Sequence, residues 1–306
     1  MNQLITCAPE VAQARAEGRP VVALESTIIT HGMPYPQNIE MAQRVETEIR
    51  DAGAVPATIA IMDGRIRIGL DGDALEELAS TPAEQVMKLS RADLAVCLVR
   101  GGTGATTVAA TMICADLAGI TTFATGGIGG VHRGAETSFD ISADLQELAR
   151  RPITVVAAGA KAILDLPKTL EVLETLGVPV IAFGQDQLPA FWSRESGLVA
   201  PLRMDDPAKI ASAARLRREL GLEGGQLVVN PIPPQAEIPR AEMIPVVEQA
   251  LSEAAAKGIA AKAVTPFLLQ RIYELTKGRS LDANIALVLN NARLAAQIAI
   301  AMVAKA

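Results

Sequence analysis

The sequence is poor in aromatic residues and in histidine. Phe, Trp and Tyr make up 3% of the 306 residues, with a single tryptophan at Trp192, and the chain has two histidines. Proteins that bind single-stranded nucleic acid stack the bases on exposed rings, so the scarcity of rings argues against such a partner. Because the chain has two histidines, a metal site built from histidines is not expected.

The chain also lacks an excess of positive charge. It has 28 Lys and Arg residues and 34 Asp and Glu residues, which gives a net charge of −6 at pH 7. No stripe of basic residues stands out in the sequence. Nucleic acids and anionic membranes bind to basic surfaces, so neither is expected as a partner. A small phosphorylated ligand remains compatible with the composition because it needs only a few local donors.

Disulfide bonds and membrane spans are not expected either. Cys7, Cys97 and Cys114 are odd in number and widely spaced, which predicts buried thiols in a reducing compartment. The segment closest to a membrane span, residues 285–306, contains Asn, Arg and Gln and favours a buried helix. Residues 1–18 carry acids, unlike a signal peptide. We therefore expect a cytoplasmic protein.

Half of the residues are hydrophobic. Along the chain, short runs rich in β-branched residues alternate with segments that have a helical pattern. This alternation predicts an α/β protein, a layered α/β/α single domain over residues 1–306 with a mostly helical part from about residue 205. The predicted strands are 21–24, 57–62, 65–68, 94–99, 121–124, 153–158 and 178–183. The predicted helices before residue 205 are 39–52, 73–79, 82–88, 106–118, 144–150 and 163–176.

Two ionisable residues follow predicted strands, where parallel sheets place their ligands. Glu25 comes directly after strand 21–24. Burial favours a protonated carboxyl that can donate a proton, although a helix N-cap neighbour or a buried ion pair is an equal alternative. Lys161 follows strand 153–158 and a turn of small residues, and its neighbours are apolar. Such surroundings favour the neutral amine, which can attack a carbonyl, whereas most lysines are solvated surface charges.

Two glycine-rich segments are candidates for binding phosphate. Residues 101–105 are predicted to connect a strand to a helix, but they match neither a P-loop nor a dinucleotide fingerprint. Residues 126–130 contain four glycines in five, which costs backbone entropy unless the backbone must approach a ligand or turn sharply. His132 and Arg133 follow and add donors for an anion. A structural role for His132 is equally compatible with the sequence.

The segment 140–144 brings two acids and a hydroxyl together. Ser142 can cap the helix that begins near Ala143, which is the simpler interpretation. Asp140 can alternatively hold a hard cation such as Mg²⁺ or Mn²⁺, with water completing the coordination shell.

At these residues the sequence closely resembles the pseudouridine-5′-phosphate glycosidase family. The resemblance extends over roughly residues 20 to 295 in long collinear blocks, which makes it far more specific than a short motif. The matching segments are 23–36, 126–144, 159–161, 189–191, 230–233, 264–267 and 280–288.

The resemblance implies a homotrimer that uses one Mn²⁺ per subunit. It also implies the reversible hydrolysis of pseudouridine 5′-phosphate to ribose 5-phosphate and uracil, through a lysine adduct with the ring-opened sugar. Glu25 then corresponds to the proton donor, Lys161 to the nucleophile and Asp140 to the metal ligand. The positions expected to bind the substrate are Lys88, Val108, Ser142, Ala143, Asp144 and Asn284, to which the anion argument adds His132.

Three other functions are compatible with some of these features. A class I aldolase-type lyase would use the same lysine on another phosphorylated sugar, and a non-catalytic binding protein would need neither Glu25 nor Lys161 for chemistry. A sugar kinase is disfavoured because the sequence carries no P-loop.

Overall fold

The computed structural model describes residues 4–259 and 264–304. The strands of these residues are β1 Ile5–Cys7, β2 Val21–Leu24, β3 Val55–Met62, β4 Arg65–Ile68, β5 Met87–Leu89, β6 Gly104–Thr106, β7 Thr122–Ala124, β8 Thr154–Ala157, β9 Val180–Phe183, β10 Leu202–Met204 and β11 Gln226–Val229. The α-helices are α1 Pro9–Ala16, α2 Thr27–His31, α3 Gln37–Asp51, α4 Gly72–Ser80, α5 Leu94–Val99, α6 Val108–Leu117, α7 Ala135–Ser138, α8 Ala143–Arg150, α9 Leu166–Thr175, α10 Pro207–Glu219, α11 Arg240–Ala256, α12 Val264–Leu275 and α13 Arg279–Val303.

The strands form one mixed sheet in the order β1-β4-β3-β2-β7-β8-β11-β9-β10, with β6 joined to β3 and β5 joined to β6. The pairs from β3 through β2 to β10 are parallel, whereas β4 and β6 run antiparallel to β3. The predicted hairpin of β3 and β4 is confirmed. Its turn residues Asp63 and Gly64 both have positive φ, of 52° and 65°, as tight hairpin turns require.

Helices cover both faces of the sheet. Every residue of β2, β3, β8 and β11 is buried, which a strand achieves only when both of its faces are packed. The long helix α13 contacts α3, α10 and strands β2, β7 and β8, while α6 contacts α8 and strands β2, β3 and β4. The predicted layered α/β fold is confirmed by this arrangement.

Helix α13 is long and apolar enough to span a membrane by length and composition. Half of its most apolar window is buried inside the fold, and residues from Ser280 to Ala299 contribute to the protein interior. The predicted buried helix at 285–306 is confirmed over the residues that the structure describes.

Two predicted elements are wrong. Residues 94–99 form helix α5 and not a strand, because a short apolar run has no periodicity that separates the two. Val96 and Val99 are exposed on this helix. Residues 82–88, predicted as a helix, form one 3₁₀ turn, Ala83–Gln85, followed by the start of β5. Pairing of β5 with β6 overrides the local helical pattern.

Two further features of the sheet differ from the prediction. The glycine segment 101–105 follows helix α5 and runs into strand β6, which begins at Gly104, so it does not precede a helix directly. Strand β11, within the part predicted to be largely helical, pairs with both β8 and β9 near the centre of the sheet. Helices α10 to α13 agree with the predicted helical character of that part.

Candidate functional site

The site is built where neighbouring parallel strands end. Leu24, the last residue of β2, pairs with Ala124, the last residue of β7. The residues that follow them, Glu25 and Thr125, therefore lie side by side at the carboxyl edge of the sheet. The hydroxyl of Thr125 donates to one oxygen of the Glu25 carboxylate, and the hydroxyl of Thr27 donates to the other. A hydroxyl can donate or accept, so this pair can hold Glu25 in place in either protonation state.

Lys161 is positioned by the segment that follows β8. Gly159 has a φ of +97°, a conformation that glycine adopts without steric cost. The backbone N–H of Ile128 donates to the Gly159 carbonyl at 3.1 Å, and the Lys161 N–H donates to the Ile128 carbonyl at 3.1 Å. The glycine segment after β7 is thus joined to the segment after β8, and Lys161 is half-buried beside it.

Two adjoining cavities surround these residues. Cavity A, of about 80 Å³, is lined by Glu25, Thr27, Ile28, His31, Gly32, Met33, Lys88, Gly126, Gly127, Lys161, Phe191, Thr265, Pro266, Leu269, Asn284, Leu287 and Val288. Cavity B, of about 280 Å³, is lined by Glu25, Thr27, Lys88, Ser90, Thr107, Val108, Gly129, His132, Asp140, Ser142, Asp144, Lys161, Ile163, Leu164 and Thr265. Five residues line both cavities, namely Glu25, Thr27, Lys88, Lys161 and Thr265. Any ligand that extends through both cavities passes Glu25 and Lys161.

Asp144 shapes one wall of cavity B. Its buried carboxylate accepts the backbone N–H of Ala109 at 2.9 Å and that of Gly129 at 2.7 Å. These two bonds join the first turn of α6 to the glycine segment after β7. A Cβ at Gly129 would lie 2.8 Å from the Asp144 carboxylate, so only glycine allows the backbone to approach this closely.

The start of helix α6 offers donors to an anion. Val108 is its first residue, and the Thr107 hydroxyl caps the helix by accepting the Ala110 N–H. The first amides of a helix have no intrahelical partner and attract negative charge. Asp144 and Thr107 already accept the N–H groups of Ala109 and Ala110, which leaves the Val108 N–H of this turn for an anion. Ser142 caps α8 in the same region, as predicted, by accepting the Asp144 N–H at 3.2 Å. Cavity B therefore has the donors that a phosphate group needs.

Asp140 is the carboxylate of cavity B that faces solvent most openly. Its Oδ2 lies 3.9 Å from Nδ1 of His132, and its side chain is 41% exposed. Within the described ranges, no three His, Cys, Asp or Glu residues converge into a metal-binding group. A cation at Asp140 would thus take most of its ligands from water, which suits Mg²⁺ and Mn²⁺ because both retain water in protein sites. The donor set fits such an ion.

Cavity A is the less polar of the two. The indole N–H of Trp192 donates to Oδ1 of Asn284 at 2.7 Å, which leaves the Asn284 amide nitrogen as the group that can donate to a ligand. Nδ1 of His31 lies 2.6 Å from the Thr30 hydroxyl. Burial, and secondarily the charge of Lys88, lowers the pKa of His31, so this ring is neutral at pH 7.

The structure brings together nearly all of the residues selected from the sequence. Glu25, Lys88, Val108, His132, Asp140, Ser142, Asp144, Lys161 and Asn284 line one or both cavities. Ala143 is not among the lining residues and contributes the first residue of α8. The glycine segment 101–105 lines neither cavity.

The sequence analysis did not select the polar lining or supporting residues Thr27, Ser90, Thr107, Thr125 and Thr265. Thr125 had a detectable signal, since it follows strand β7 as Glu25 follows β2 and their strands are adjacent. Thr265 had no signal other than its place in the matching segment 264–267, because it lies in the first turn of a helix far along the chain whose docking depends on the complete fold.

Comparison with known proteins identifies relatives over nearly the full length. The sequence model of the indigoidine synthase A-like protein family matches residues 10–301. A protein of Paracoccus denitrificans named pseudouridine-5′-phosphate glycosidase is 84% identical over 99% of both chains. Proteins with the same name from Jannaschia sp. and Caldanaerobacter subterraneus are 71% and 57% identical, over 99% and 98% of this chain and 99% and 97% of theirs. The resemblance stated from the sequence is confirmed.

Two solved structures share the fold. The prealnumycin C-glycosynthase AlnA, whose crystal structure is a complex with ribulose 5-phosphate, superimposes with a TM-score of 0.91 at 40% identity, over 99% of this chain and 98% of that one. An indigoidine synthase A-like protein of Thermotoga maritima superimposes with a TM-score of 0.87 at 35% identity, over 97% and 96% of the chains.

Proposed function

We propose that this chain, which belongs to the indigoidine synthase A-like protein family, cleaves the C–C glycosidic bond of pseudouridine 5′-phosphate to give uracil and ribose 5-phosphate. The full-length relatives carry the name of this activity. The observation that carries the proposal is the pairing of Lys161 and Glu25 between two cavities, one with donors for phosphate and one less polar.

Lys161 solves the main chemical problem of this bond. Expelling a carbon leaving group from an oxocarbenium-type centre is difficult, whereas an amine can form a covalent adduct that splits the reaction into easier steps. The C1′–O4′ bond opens with a proton to O4′, and Nζ of Lys161 bonds to C1′. The C1′–C5 bond then breaks, its electrons remain with uracil, and the nitrogen lone pair forms an imine. Water hydrolyses the imine and releases ribose 5-phosphate.

Glu25 supplies the proton that uracil C5 takes up as the bond breaks. Its two threonine partners hold both carboxylate oxygens at the junction of the cavities, between the sugar and the base of a bound substrate. A positioned general acid contributes typically about 10²–10⁴ to the rate, so the covalent adduct must supply much of the remaining acceleration.

Cavity B receives the sugar phosphate. The first amide of α6 at Val108, the Ser142 hydroxyl, Lys88 and His132 all face this cavity, and charge-assisted bonds of this type are the strong ones. Asp144 acts mainly by holding the first turn of α6 against the glycine segment, since each of its oxygens already accepts a backbone N–H.

Asp140 would hold a single Mn²⁺ together with water molecules, with His132 beside it. When bound, the ion orients water and offsets phosphate charge near the sugar. Titrating Mn²⁺ into the protein while recording its electron paramagnetic resonance tests this assignment without measuring turnover. Free Mn²⁺ should fall in the wild type and remain in solution with Asp140→Asn. Equal binding by both proteins would contradict the assignment.

Cavity A receives uracil. The amide nitrogen of Asn284, fixed by the Trp192 indole, can donate to a uracil carbonyl, and Phe191 and Leu287 provide apolar contacts. A site built to hydrogen-bond its ligand discriminates strongly against ligands without the matching group. Asn284→Ala should therefore affect selectivity between bases.

The assembly and location are part of the same proposal. The family resemblance supports a homotrimer, which light scattering would reveal as three times the chain mass of 32.0 kDa, and a cytoplasmic site of action. A monomeric mass at micromolar concentration would contradict the trimer.

Trapping the adduct is the decisive experiment. The purified protein is incubated with pseudouridine 5′-phosphate and Mn²⁺, reduced with borohydride and analysed by intact-mass and peptide mass spectrometry. We expect free uracil and a reduced ribose-phosphate adduct on Lys161. Lys161→Gln should give neither, whereas Lys209→Gln, at an exposed position of α10, should behave as the wild type. Full activity of Lys161→Gln would refute the mechanism.

The same assay distinguishes the proposed glycosidase from an aldolase-type lyase. That enzyme would form a Lys161 adduct with another phosphorylated sugar and release no uracil from pseudouridine 5′-phosphate. A protein without catalytic activity would show neither product, and its ligand affinity would respond to Lys161→Gln only as far as stability changes.

A further inference from the structure

Another cavity, with several polar lining residues, lies at the opposite edge of the sheet. It measures about 320 Å³ and is lined by Arg150, Pro152, Ile153, Thr154, Ala214, Arg217, Arg218, Leu222, Glu223, Gly224, Gly225 and Gln226. Thr154 and Gln226 are the first residues of β8 and β11. The cavity is therefore at the amino ends of the strands, while Glu25 and Lys161 follow the carboxyl ends. We call it the arginine cavity.

Three guanidinium groups at the arginine cavity lack a carboxylate partner. Arg150 and Arg218 are exposed, and neither they nor Arg217 form an ion pair with any residue of the described ranges. One amine of Arg217 donates to the carbonyls of Glu223 and Gly177, at 3.0 and 3.4 Å. Positive side chains at helix C-termini favour the helix dipole, which accounts for the charges of α8 and α10 but not for their convergence on one cavity.

Two buried polar atoms at this cavity have no partner. In the described part of the chain four buried side-chain nitrogen or oxygen atoms lack a hydrogen bond, and two of them are Nε of Arg217 and Oε1 of Gln226. A third is Oγ1 of Thr122, the first residue of β7, which pairs in register with Thr154. Buried polar groups are nearly always hydrogen-bonded, so each unpaired one requires an explanation.

The polar groups have complementary chemistry. Arg217 has an unpaired donor and Gln226 an unpaired acceptor, and both residues line the cavity, where three arginines face one carboxylate residue, Glu223. Burial lowers the pKa of Arg217, the direction expected when no nearby anion offsets its charge. A ligand that satisfies both groups carries an anion for the arginines and a hydroxyl that donates to Gln226.

We propose that the arginine cavity binds a small phosphate monoester that carries a free hydroxyl, at a site separate from the one around Lys161. Guanidinium groups bind phosphate through paired charge-assisted hydrogen bonds. The cavity does not overlap cavity A or cavity B in any lining residue. The protein thus has two phosphate-binding edges, one catalytic and one accessory.

Calorimetric titration with glycerol 3-phosphate tests this site in the full-length protein. The variant Arg150→Gln/Arg218→Gln removes two exposed side chains without hydrogen bonds to described residues, so folding should be preserved, and its melting temperature verifies this. We expect its affinity for the probe at this site to fall about tenfold or more, as expected for loss of charged hydrogen bonds. Arg44→Gln, at an exposed position of α3, is the matched control and should leave the affinity unchanged.

Two further binding measurements distinguish the accessory site from the catalytic one. Lys88→Ala should retain the binding event that the double arginine variant loses. Propyl phosphate, which has no hydroxyl, should bind the arginine cavity more weakly than glycerol 3-phosphate. The proposal is overturned if millimolar probe does not bind, if binding disappears in Lys88→Ala while the arginine variant is unaffected, or if both probes bind equally well.

Discussion

Replacing Asp144 with asparagine tests the most specific structural claim about cavity B. The carboxylate accepts two backbone N–H groups, from Ala109 at 2.9 Å and from Gly129 at 2.7 Å. Asparagine has the same shape but only one acceptor oxygen. One of the two N–H groups would therefore face the new amide NH₂, donor against donor.

The expected cost follows from this lost bond. A hydrogen bond to a charged group contributes about 1.5–3 kcal/mol, and a buried donor left unpaired costs about 1–3 kcal/mol. These two figures describe largely the same loss, so we expect Asp144→Asn to lower the free energy of unfolding by about 2–3 kcal/mol. Asp144→Ala, which removes both acceptors, should cost more.

Equilibrium urea unfolding at pH 7 measures this difference. Asp71→Asn is a suitable control, because Asp71 is an exposed N-cap that accepts the Ala74 N–H at 2.9 Å and asparagine caps equally well. The control should stay within about 0.5 kcal/mol of the wild type. We also expect Asp144→Asn to raise KM for pseudouridine 5′-phosphate, because the first turn of α6 and the glycine segment would separate at the phosphate end.

A loss of stability below about 0.5 kcal/mol in Asp144→Asn would refute this reasoning. It would mean that the two N–H groups find other acceptors, such as water, when the carboxylate is removed. A normal stability with a large rise in KM would instead indicate direct contact between Asp144 and the substrate.

Three other predictions concern single side chains. Thr125→Val removes the hydroxyl that donates to Glu25, so kcat should fall about tenfold or more with little change in thermal stability; an unchanged kcat would contradict the role given to this contact. Burial raises the pKa of Glu46 against the opposing hydrogen bond from Thr58 and the charge of Arg50, so its ionisation costs stability as pH rises through the folded-state pKa. Glu46→Gln should therefore be more favourable, relative to the wild type, at pH 8 than at pH 4 in urea unfolding, and the opposite trend would contradict this sign. Burial also raises the pKa of Cys114 to about 12, so a thiol reagent at pH 8 should label it only after unfolding, as peptide mass spectrometry would show.

The sequence was sufficient where the signal is local. An apolar run followed by Glu25, another followed by Lys161, and the turn at Asp63 and Gly64 each predicted features that the structure contains. Strands buried on both faces are uniformly apolar, and their carboxyl ends are where an α/β sheet places polar chemistry. These patterns depend on neighbours in the chain, so they are readable without the fold.

Local signal failed where pairing between distant segments decides the outcome. Residues 94–99 are apolar enough for a strand yet form α5, and residues 87–89 have a helical context yet pair with β6. Strand β11 is inserted between β8 and β9 although it follows both of them in the chain. A sequence pattern does not show which strand edge is available for pairing elsewhere in the fold. The secondary structure of a short segment depends on that pairing.

The amino-acid sequence alone determined the chemical groups of this protein: a lysine in apolar surroundings, an acid after a strand, a capped helix at Ser142 and glycines where the backbone approaches closely. Only the tertiary structure decided which of them meet. In the fold, the Thr125 hydroxyl donates to Glu25, and both carboxylate oxygens of Asp144 accept backbone N–H groups. Three arginines line one cavity at the far edge of the sheet. The physical reason is that hydrogen bonds and charges act over a few ångströms, and only the packed sheet brings residues that are 15 to 100 positions apart within that range.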